Sequence, residues 1–398
     1  MNLESALEKN GGKGPGFHFV RHALSVVILL HHASILTVGG EIAPLVTKGD
    51  AVATLDRLFQ GGDSAFLRQS IIELLRPFLF SLVGSFFVLS GFLVAGSAFR
   101  TRNVRQFLTF RILRIVPALS SEVMLSAFVL GPLVTSYALG TYFGDPLFLR
   151  YFGNIFGFVS YELPGVFRTN PVADLVNVNL WTLPPEFYCY AIMTAMMLTG
   201  VVYRTKEFLW LFLAVTASIV LSVALGWFGL STRQDTTRFS SWLIVYLFVV
   251  GVAMWVYARH IPLNRWTFLI CGGVYYVLML AKANDALAGL ALAYCIIYVG
   301  MTPFPLFDRL LKVDLSYGIY LYGYPITQAL VFFLLPHMES LGAYPKKAII
   351  MSSALLLTSI FAWASWTWIE KPALSLKRFV GGARRKPAEM ENIATPAE

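Results

Sequence analysis

Ten apolar stretches recur along the chain, and most of them approach the roughly 20 residues that a membrane-spanning helix needs. Only 13% of the 398 residues are charged, whereas a soluble domain carries about 25%. The sequence therefore predicts an all-α integral membrane protein, a bundle of about ten transmembrane helices. The predicted spans cover residues 18–39, 77–99, 110–133, 181–202, 207–229, 239–258, 265–281, 285–301, 315–336 and 346–369.

The distribution of basic residues predicts the orientation of this bundle. When the 31 Lys and Arg residues are sorted into alternating loops, 20 fall on the side that holds the N-terminus and 11 on the other side. By the positive-inside rule this bias places both termini in the cytoplasm. We expect one polytopic domain over residues 1–380 and a disordered cytoplasmic tail over 381–398. The net charge of +9 then reflects orientation and contact with anionic membrane lipids, and no nucleic-acid partner is expected.

Two predicted outer loops, residues 40–76 and 140–180, are long enough to carry structure of their own. Long loops in compact proteins are often functional. Within the second loop, residues 147–160 form an apolar window that is short for a span and contains Arg150 and two glycines. We interpret that window as interfacial or re-entrant.

Arg21 and His32 both lie in the first apolar stretch, where ionisable side chains are costly and mark functional sites by default. Eleven helical residues bring His32 to within about 20° of Arg21 around the axis and roughly 16 Å along it. The two side chains are therefore predicted to line one cavity. Taken alone, a histidine in a membrane helix is as often a packed polar residue as a catalytic one. A neutral imidazole held by a carboxylate is the equipment of a general base.

Three glutamates are candidates for such a carboxylate or for an ion pair. Glu186 begins the fourth predicted span; it could be an interfacial charge, or it could point inward and hold His32. Glu122, inside the third span, could be a structural partner or a member of the site. Glu370, near the end of the last span, could be a plain interfacial charge or could pair with an inner arginine.

Five arginines lie within fifteen residues on the inner side, with no acidic residue among them. The first three suit orientation and contact with lipid headgroups. Arg111 and Arg114 differ, because they are three residues apart on one face of the third span. A guanidinium pair at the cytoplasmic mouth of a cavity suits the phosphate oxygens of a ligand. We predict that this pair binds phosphate.

The second span ends in small residues among bulky ones, including Ser85, Ser90, Gly91 and Gly96. They could allow close helix packing, or the Ser90-Gly91 pair could let a thin substrate arm pass close to the backbone. The three cysteines lie inside predicted spans without CxxC spacing. Of the histidines, His18, His22, His260 and His337 are interfacial, and His31 faces other helices. Neither a disulfide framework nor a metal site is predicted.

The motifs together resemble the membrane acyltransferase family 3, which typically O-acetylates bacterial surface glycans. The resemblance implies ten core helices, a cytoplasmic acyl-CoA donor, an essential first-helix histidine and arginines that hold the donor. Those roles fall on His32, Arg21, Arg111 and Arg114, with Glu186 as the acidic partner. Many members have a histidine where this chain has Gly323. The motifs are Arg21 with His32, FFVLSGFLV from Phe86, FLTFRILRIVPAL with its two arginines, LPGVFRTNP from Leu163, NLWTLPPEFYCY from Asn179, SYGIYLYGYP from Ser316 and IEKPAL from Ile369.

The resemblance implies a multi-pass O-acyltransferase of the bacterial inner membrane. We expect an acyl group, acetyl in the first instance, to pass from acetyl-CoA to a sugar hydroxyl of a cell-surface or exported glycan or glycolipid. His32 and Glu186 are the predicted catalytic residues, and Arg21, Ser90, Arg111 and Arg114 are predicted to bind the donor. No permanently bound cofactor is expected. The alternative is a glycan or lipid transporter or flippase, in which the same buried charges would line the transport path. A further possibility is a membrane-bound acyltransferase of an unrelated fold, which would have its catalytic histidine in the later helices. An acyl-histidine intermediate and a general-base mechanism both stay open.

Overall fold

The computed structural model of the protein describes residues 1–12, 14–39, 64–227, 239–281, 283–310 and 313–380. The regular secondary structure of these residues is helical, with no β-strand. The predicted tail, 381–398, lies outside the described residues, as does most of the first predicted outer loop. The helices are α1 (Leu3–Lys9), α2 (Phe17–Val38), α3 (Ser64–Thr101), α4 (Val104–Leu125, extended through a π-helical turn to Val134), α5 (Leu139–Gly144), α6 (Pro146–Tyr151), α7 (Leu183–Thr199), α8 (Thr205–Leu225), α9 (Ser241–Val256), α10 (Arg265–Leu280), α11 (Asp285–Gly300), α12 (Pro305–Leu310), α13 (Ser316–Leu334), α14 (Ala343–Ser365, extended through a π-helical turn to Ser375) and α15 (Lys377–Val380).

Six helical stretches of the described chain are long and apolar enough to cross a membrane, which supports the predicted membrane character. Three further apolar helices, α9, α10 and α11, have 16 residues each. At 1.5 Å per residue each of these three measures about 24 Å, short of the roughly 30 Å hydrocarbon core. The count of ten spans and the cytoplasmic placement of the termini stay predictions. The six stretches are Phe17–Val38, Leu74–Thr101, Val104–Val134, Thr205–Leu225, Ser316–Met338 and Ala343–Phe379.

Close packing of α3 against α9 explains Gly91, one of the small residues at the end of the second span. A Cβ atom at Gly91 would overlap the carbonyl oxygen of Phe248, and one at Gly251 would overlap the carbonyl oxygen of Val88. The backbones of the two helices therefore touch, as small residues permit in membrane bundles. For Gly91 the structure favours helix packing over the substrate-arm interpretation. The helix also begins earlier than predicted, at Ser64.

α2 and α13 run side by side in the same direction. The Leu315 backbone N–H, one residue before α13, donates a hydrogen bond to His22 Nε2 at 2.9 Å. Further along both helices, the ring of His32 lies against the ring of Tyr324, with 5.3 Å between centroids. Residues near the start of α2 are therefore level with the start of α13.

Part of the predicted outer loop enters the bundle and runs down along α13; we call residues 170–182 the inserted segment. At its start, Asn170 donates a hydrogen bond to the Gln328 side chain at 2.8 Å. Near its end, Asn179 donates one to the Tyr320 carbonyl oxygen at 2.7 Å. Eight helical residues separate these partners, a descent of about 12 Å. Placing all of 140–180 outside the bundle was wrong for this segment. Irregular backbone is tolerated at such depth where protein surrounds it and satisfies its polar groups.

Residues 147–160, the window that we interpreted as interfacial or re-entrant, do not form a span. They comprise the end of α6, a 3-10 turn at Phe152–Phe156 and extended chain. Phe156 and Phe158 are about three-quarters exposed, as aromatic side chains at a membrane interface would be.

Candidate functional site

A cavity of about 190 Å³ lies between α2, α3, α4, α7, α13 and the inserted segment. Its walls are mostly apolar, and its polar side chains include five of the six residues that the sequence analysis selected. Those five residues are Arg21, Ser90, Arg111, Arg114 and Glu186. They come from four helices and meet only in the folded chain.

Asp314, which the sequence analysis did not select, joins two of the arginines. Its Oδ2 lies 2.8 Å from Arg21 Nη2 and 3.3 Å from Arg114 Nη2, and its Oδ1 accepts a hydrogen bond from the Ser316 hydroxyl at 2.6 Å. Burial acts to raise the pKa of Asp314, but the two guanidinium groups outweigh it and hold that pKa well below its usual range. The only sequence signal was an acid immediately before the ninth predicted span, on the side that holds the arginines.

Glu370 is the second acid at this cluster. It is almost fully buried in the π-helical turn after α14, and its Oε2 lies 3.4 Å from Arg114 Nη1. Of the two alternatives for Glu370, pairing with an inner arginine is the one that the structure shows. Arg114 thus contacts two carboxylates.

Arg111 has a different environment from Arg114, although the two were predicted as a pair. No carboxylate of the described chain forms a salt bridge with Arg111, and its buried Nε has no hydrogen-bond partner there. Its guanidinium lies 5.8 Å from the Phe107 ring centroid. Arg100 and Lys377 are close enough to interact with it electrostatically. A guanidinium without a salt bridge, near further cations, attracts a polyanion.

Glu186 lies in the first turn of α7, directly after Pro184 and Pro185, which are pre-organised for the start of a helix. Its Oε1 accepts a hydrogen bond from the Tyr190 hydroxyl, one turn further along, at 2.6 Å. Both side chains line the cavity. Because the inserted segment carries the start of α7 into the bundle, Glu186 lies within electrostatic reach of Arg111 and Arg114.

His32 does not line this cavity. It is level with Tyr324, one helical turn of about 6 Å beyond the lining residue Tyr320. Between Arg21 and His32 the same stripe of α2 carries Ser25 and Ile28, which are buried. Arg21 therefore lines this cavity and His32 lies beyond it.

The predicted pairing of His32 with Glu186 is also absent from the described chain. The Glu186 carboxylate bonds to Tyr190 instead, because a tyrosine at position i+4 of the same helix lies within its reach. The Nδ1 atom of His32 is buried and has no hydrogen-bond partner among the described residues. The hydrogen bonds of the described chain therefore leave this nitrogen unsatisfied.

Glu122 is buried away from the cavity. Its Oε1 accepts hydrogen bonds from Ser126 at 3.0 Å and from Asn177 at 2.9 Å. Of the two alternatives for Glu122, the structural partner is the one that these contacts favour.

His18, His22 and Asp314 bring metal-ligand atoms within 4.8 Å of one another. Because His22 Nε2 accepts from a backbone N–H, its Nδ1 carries the proton and donates to the His18 carbonyl at 3.0 Å. Asp314 faces two guanidinium groups. These contacts occupy the atoms of His22 and Asp314 that a cation would need.

Two known proteins are similar to the chain over most of its length. The O-acetyl transferase of Shigella phage Sf6 is 27% identical over 321 residues, which cover 75% of this chain and 88% of the phage protein. Nodulation protein 10 of Rhizobium leguminosarum bv. viciae is 26% identical over 327 residues, which cover 74% of this chain and 82% of that protein. No family model and no solved structure matches the chain. The similarity supports an acyltransferase role.

Proposed function

We propose that the protein is a membrane O-acyltransferase that moves an acyl group, acetyl in the first instance, from acetyl-CoA to a sugar hydroxyl of a cell-surface or exported glycan or glycolipid. The observation that carries the proposal is one cavity that contains a guanidinium without an acid partner, Arg111, and the Glu186–Tyr190 pair. The similarity to the phage O-acetyl transferase supports the reaction class.

The donor would bind with its phosphates at the cationic end of the cavity. Guanidinium groups bind phosphate through short, charge-assisted and often bidentate hydrogen bonds. Arg111 is the principal contact in this proposal, because Asp314 already compensates Arg21 and Arg114. Ser90 lies on the wall along which the acylated arm would extend. The donor is a substrate, and the proposal includes no permanently bound cofactor.

In the reaction, the acceptor hydroxyl oxygen forms a bond to the thioester carbonyl carbon, the carbon–sulfur bond breaks and CoA leaves as the thiolate. A base takes the hydroxyl proton, and the thiolate is protonated in turn. We assign the base role to His32, whose Nδ1 is unpartnered, and an orienting or acid–base role to Glu186 in the cavity. Because His32 lies about one turn beyond the lining, the reacting hydroxyl must extend past Tyr320.

Purified protein in lipid nanodiscs, given acetyl-CoA and a lipid-linked or soluble glycan acceptor, tests the reaction through the release of free CoA thiol. We expect stoichiometric release and the transfer of one acetyl mass to the acceptor. A transporter or flippase would release none, so the absence of release with every acceptor of the producing cell would refute the proposal.

The catalytic assignment has a matched control on the same helix. His32→Ala should reduce acyl transfer by about 10²–10⁴-fold, the range for loss of a general base. His31→Ala should retain most activity, because His31 lies about 100° away around α2. Normal transfer by the His32 variant would remove it from the mechanism, and Glu186→Gln would then test Glu186 as the base.

We also place the protein in the bacterial inner membrane with both termini in the cytoplasm. Reporter fusions at each end, one active only in the cytoplasm and one only outside it, test this orientation. Cytoplasmic activity at both ends is expected. An external signal at one end would mean an odd number of spans.

A further inference from the structure

One wall of the cavity depends on the inserted segment, which brings Asn179 and Thr182 into the lining and leads directly into Glu186. The segment is irregular up to a short 3-10 turn at Val178–Thr182. Irregular backbone inside a bundle has few hydrogen bonds of its own and relies on neighbouring groups. The position of this wall therefore depends on hydrogen bonds from the segment to neighbouring helices.

Among these contacts, those of Asn177 reach two different helices, α4 and α13. Its Nδ2 donates to Glu122 Oε1 and to the Leu321 carbonyl oxygen, both at 2.9 Å, and its Oδ1 accepts from the Asn179 backbone N–H at 3.2 Å. Asn177 and Glu122 are almost completely buried. These bonds join α4, the inserted segment and α13, and we call them the Asn177 junction.

The sequence of α13 explains why the junction needs an amide. In a regular helix the Leu321 carbonyl would accept from the N–H of residue 325, but that residue is a proline and has no N–H. Asn177 supplies the missing donor. Its second N–H reaches Glu122, so the residue must donate twice, which an aspartate cannot do.

We propose that Glu122 and Asn177 are positioning residues that set where the inserted segment, and with it Glu186, lies in the cavity. This inference rests on the proposed acyltransferase function for its kinetic consequences. Neither side chain lines the cavity, so both act through the segment.

The donor arginines lie on α2 and α4 and are not part of the inserted segment. Loosening the junction should therefore change the rate of transfer more than donor binding. A displacement of about 1 Å of a reacting group can cost about a hundredfold in rate.

Four variants separate the hydrogen bond from general effects on the fold. Asn177→Asp removes both donors, and Glu122→Ala removes the acceptor. Glu122→Gln keeps an oxygen at the Oε1 position to accept the bond from Asn177. Its amide nitrogen takes the Oε2 position, which has no hydrogen-bond partner among the described residues. Ser126→Ala removes the second bond to Glu122 but leaves the Asn177 bond in place, so it serves as the matched control.

We expect kcat to fall about tenfold to a hundredfold in Asn177→Asp and Glu122→Ala, with the KM for acetyl-CoA changed less than about threefold. Glu122→Gln and Ser126→Ala should keep kcat within about threefold of the wild type. A Glu122→Gln variant as impaired as Glu122→Ala would overturn the proposal, because the hydrogen bond would then not be the cause.

A second readout does not require catalysis. Cys189 lies on the cavity wall, about one turn after Glu186, and is almost fully buried. With Cys271 and Cys295 replaced by serine, maleimide should label Cys189 at least about tenfold faster in Asn177→Asp than in Ser126→Ala. Equal labelling rates, or an unchanged kcat in Asn177→Asp, would overturn the positioning role. If the wild type transfers no acyl group, the proposed function fails and the labelling still decides the position of the segment.

Discussion

Arg111 and Arg114 provide the sharpest test of how the cavity binds its donor, because they are one helical turn apart but differ in their partners. Arg114 lies within 3.4 Å of both Asp314 and Glu370, whereas Arg111 has no salt bridge within the described chain. We predict that Arg111→Gln weakens binding of CoA and that Arg114→Gln mainly weakens the fold.

The magnitude follows from the bonds that each change removes. A hydrogen bond to a charged group is worth about 1.5–3 kcal/mol, and each 1.4 kcal/mol is about tenfold in affinity. Arg111→Gln should therefore weaken CoA binding by about 10- to 100-fold. Arg114→Gln leaves the nearly buried Glu370 without its cation, for which about 3–5 kcal/mol of destabilisation is typical.

Isothermal titration with CoA and with its form lacking the 3′-phosphate, alongside thermal unfolding in detergent, separates the two effects. Arg105→Gln is the matched control, because Arg105 is exposed on the same helix. The assignment of Arg111 as the main contact for CoA would be refuted if Arg111→Gln bound CoA normally while Arg114→Gln lost binding at an unchanged Tm.

Three further predictions concern the surrounding structure. Asp314→Asn should lower stability by about 2–4 kcal/mol, less than for a fully buried charge because the guanidinium groups are partly exposed. The folded-state pKa of Asp314 lies below its unfolded value of about 3.9, so its stabilisation is present above that value and is lost as the pH falls through the folded-state pKa. The Tm difference between the wild type and Asp314→Asn should therefore be equal at about pH 5 and pH 8. A Tm difference that vanishes at pH 8 would contradict this prediction. Tyr190→Phe removes the hydrogen bond to Glu186 and should lower kcat/KM about tenfold. Tyr188→Phe, at an exposed position, serves as its control. An equal loss of kcat/KM in both variants would contradict a role for the Glu186–Tyr190 hydrogen bond. Gly251→Ala should destabilise the protein by about 1–3 kcal/mol in thermal unfolding because the new Cβ meets the α3 backbone, whereas Gly273→Ala meets no atom within 4 Å and should be neutral.

Several features of the fold and site followed from local patterns in the chain. Apolar runs predicted membrane helices because the length of a run is a property of contiguous residues. Helical spacing placed Arg111 and Arg114 on one face of α4, and both line the cavity. Arg21, Ser90 and Glu186 were selected because charged or small residues in apolar helices need a reason to be there.

The partners of those residues could not be predicted in the same way. Glu186 was expected beside His32, but it bonds to Tyr190 and lies near the arginines because the inserted segment carries α7 into the bundle. Asp314 was not predicted as a site residue. Its two guanidinium partners come from positions about 200 and 300 residues away along the chain.

The sequence by itself thus determined that the chain forms long apolar helices of the kind that can cross a membrane, and which of its charged residues needed explaining. Only the tertiary structure decided which charges neutralise one another, which guanidinium is left without an acid, and how far the inserted segment descends along α13. The reason is physical: hydropathy and helical period act over one or two turns, whereas the depth and rotation of a helix are set by side chains from distant segments, such as Asn177 meeting the carbonyl that Pro325 leaves without a donor.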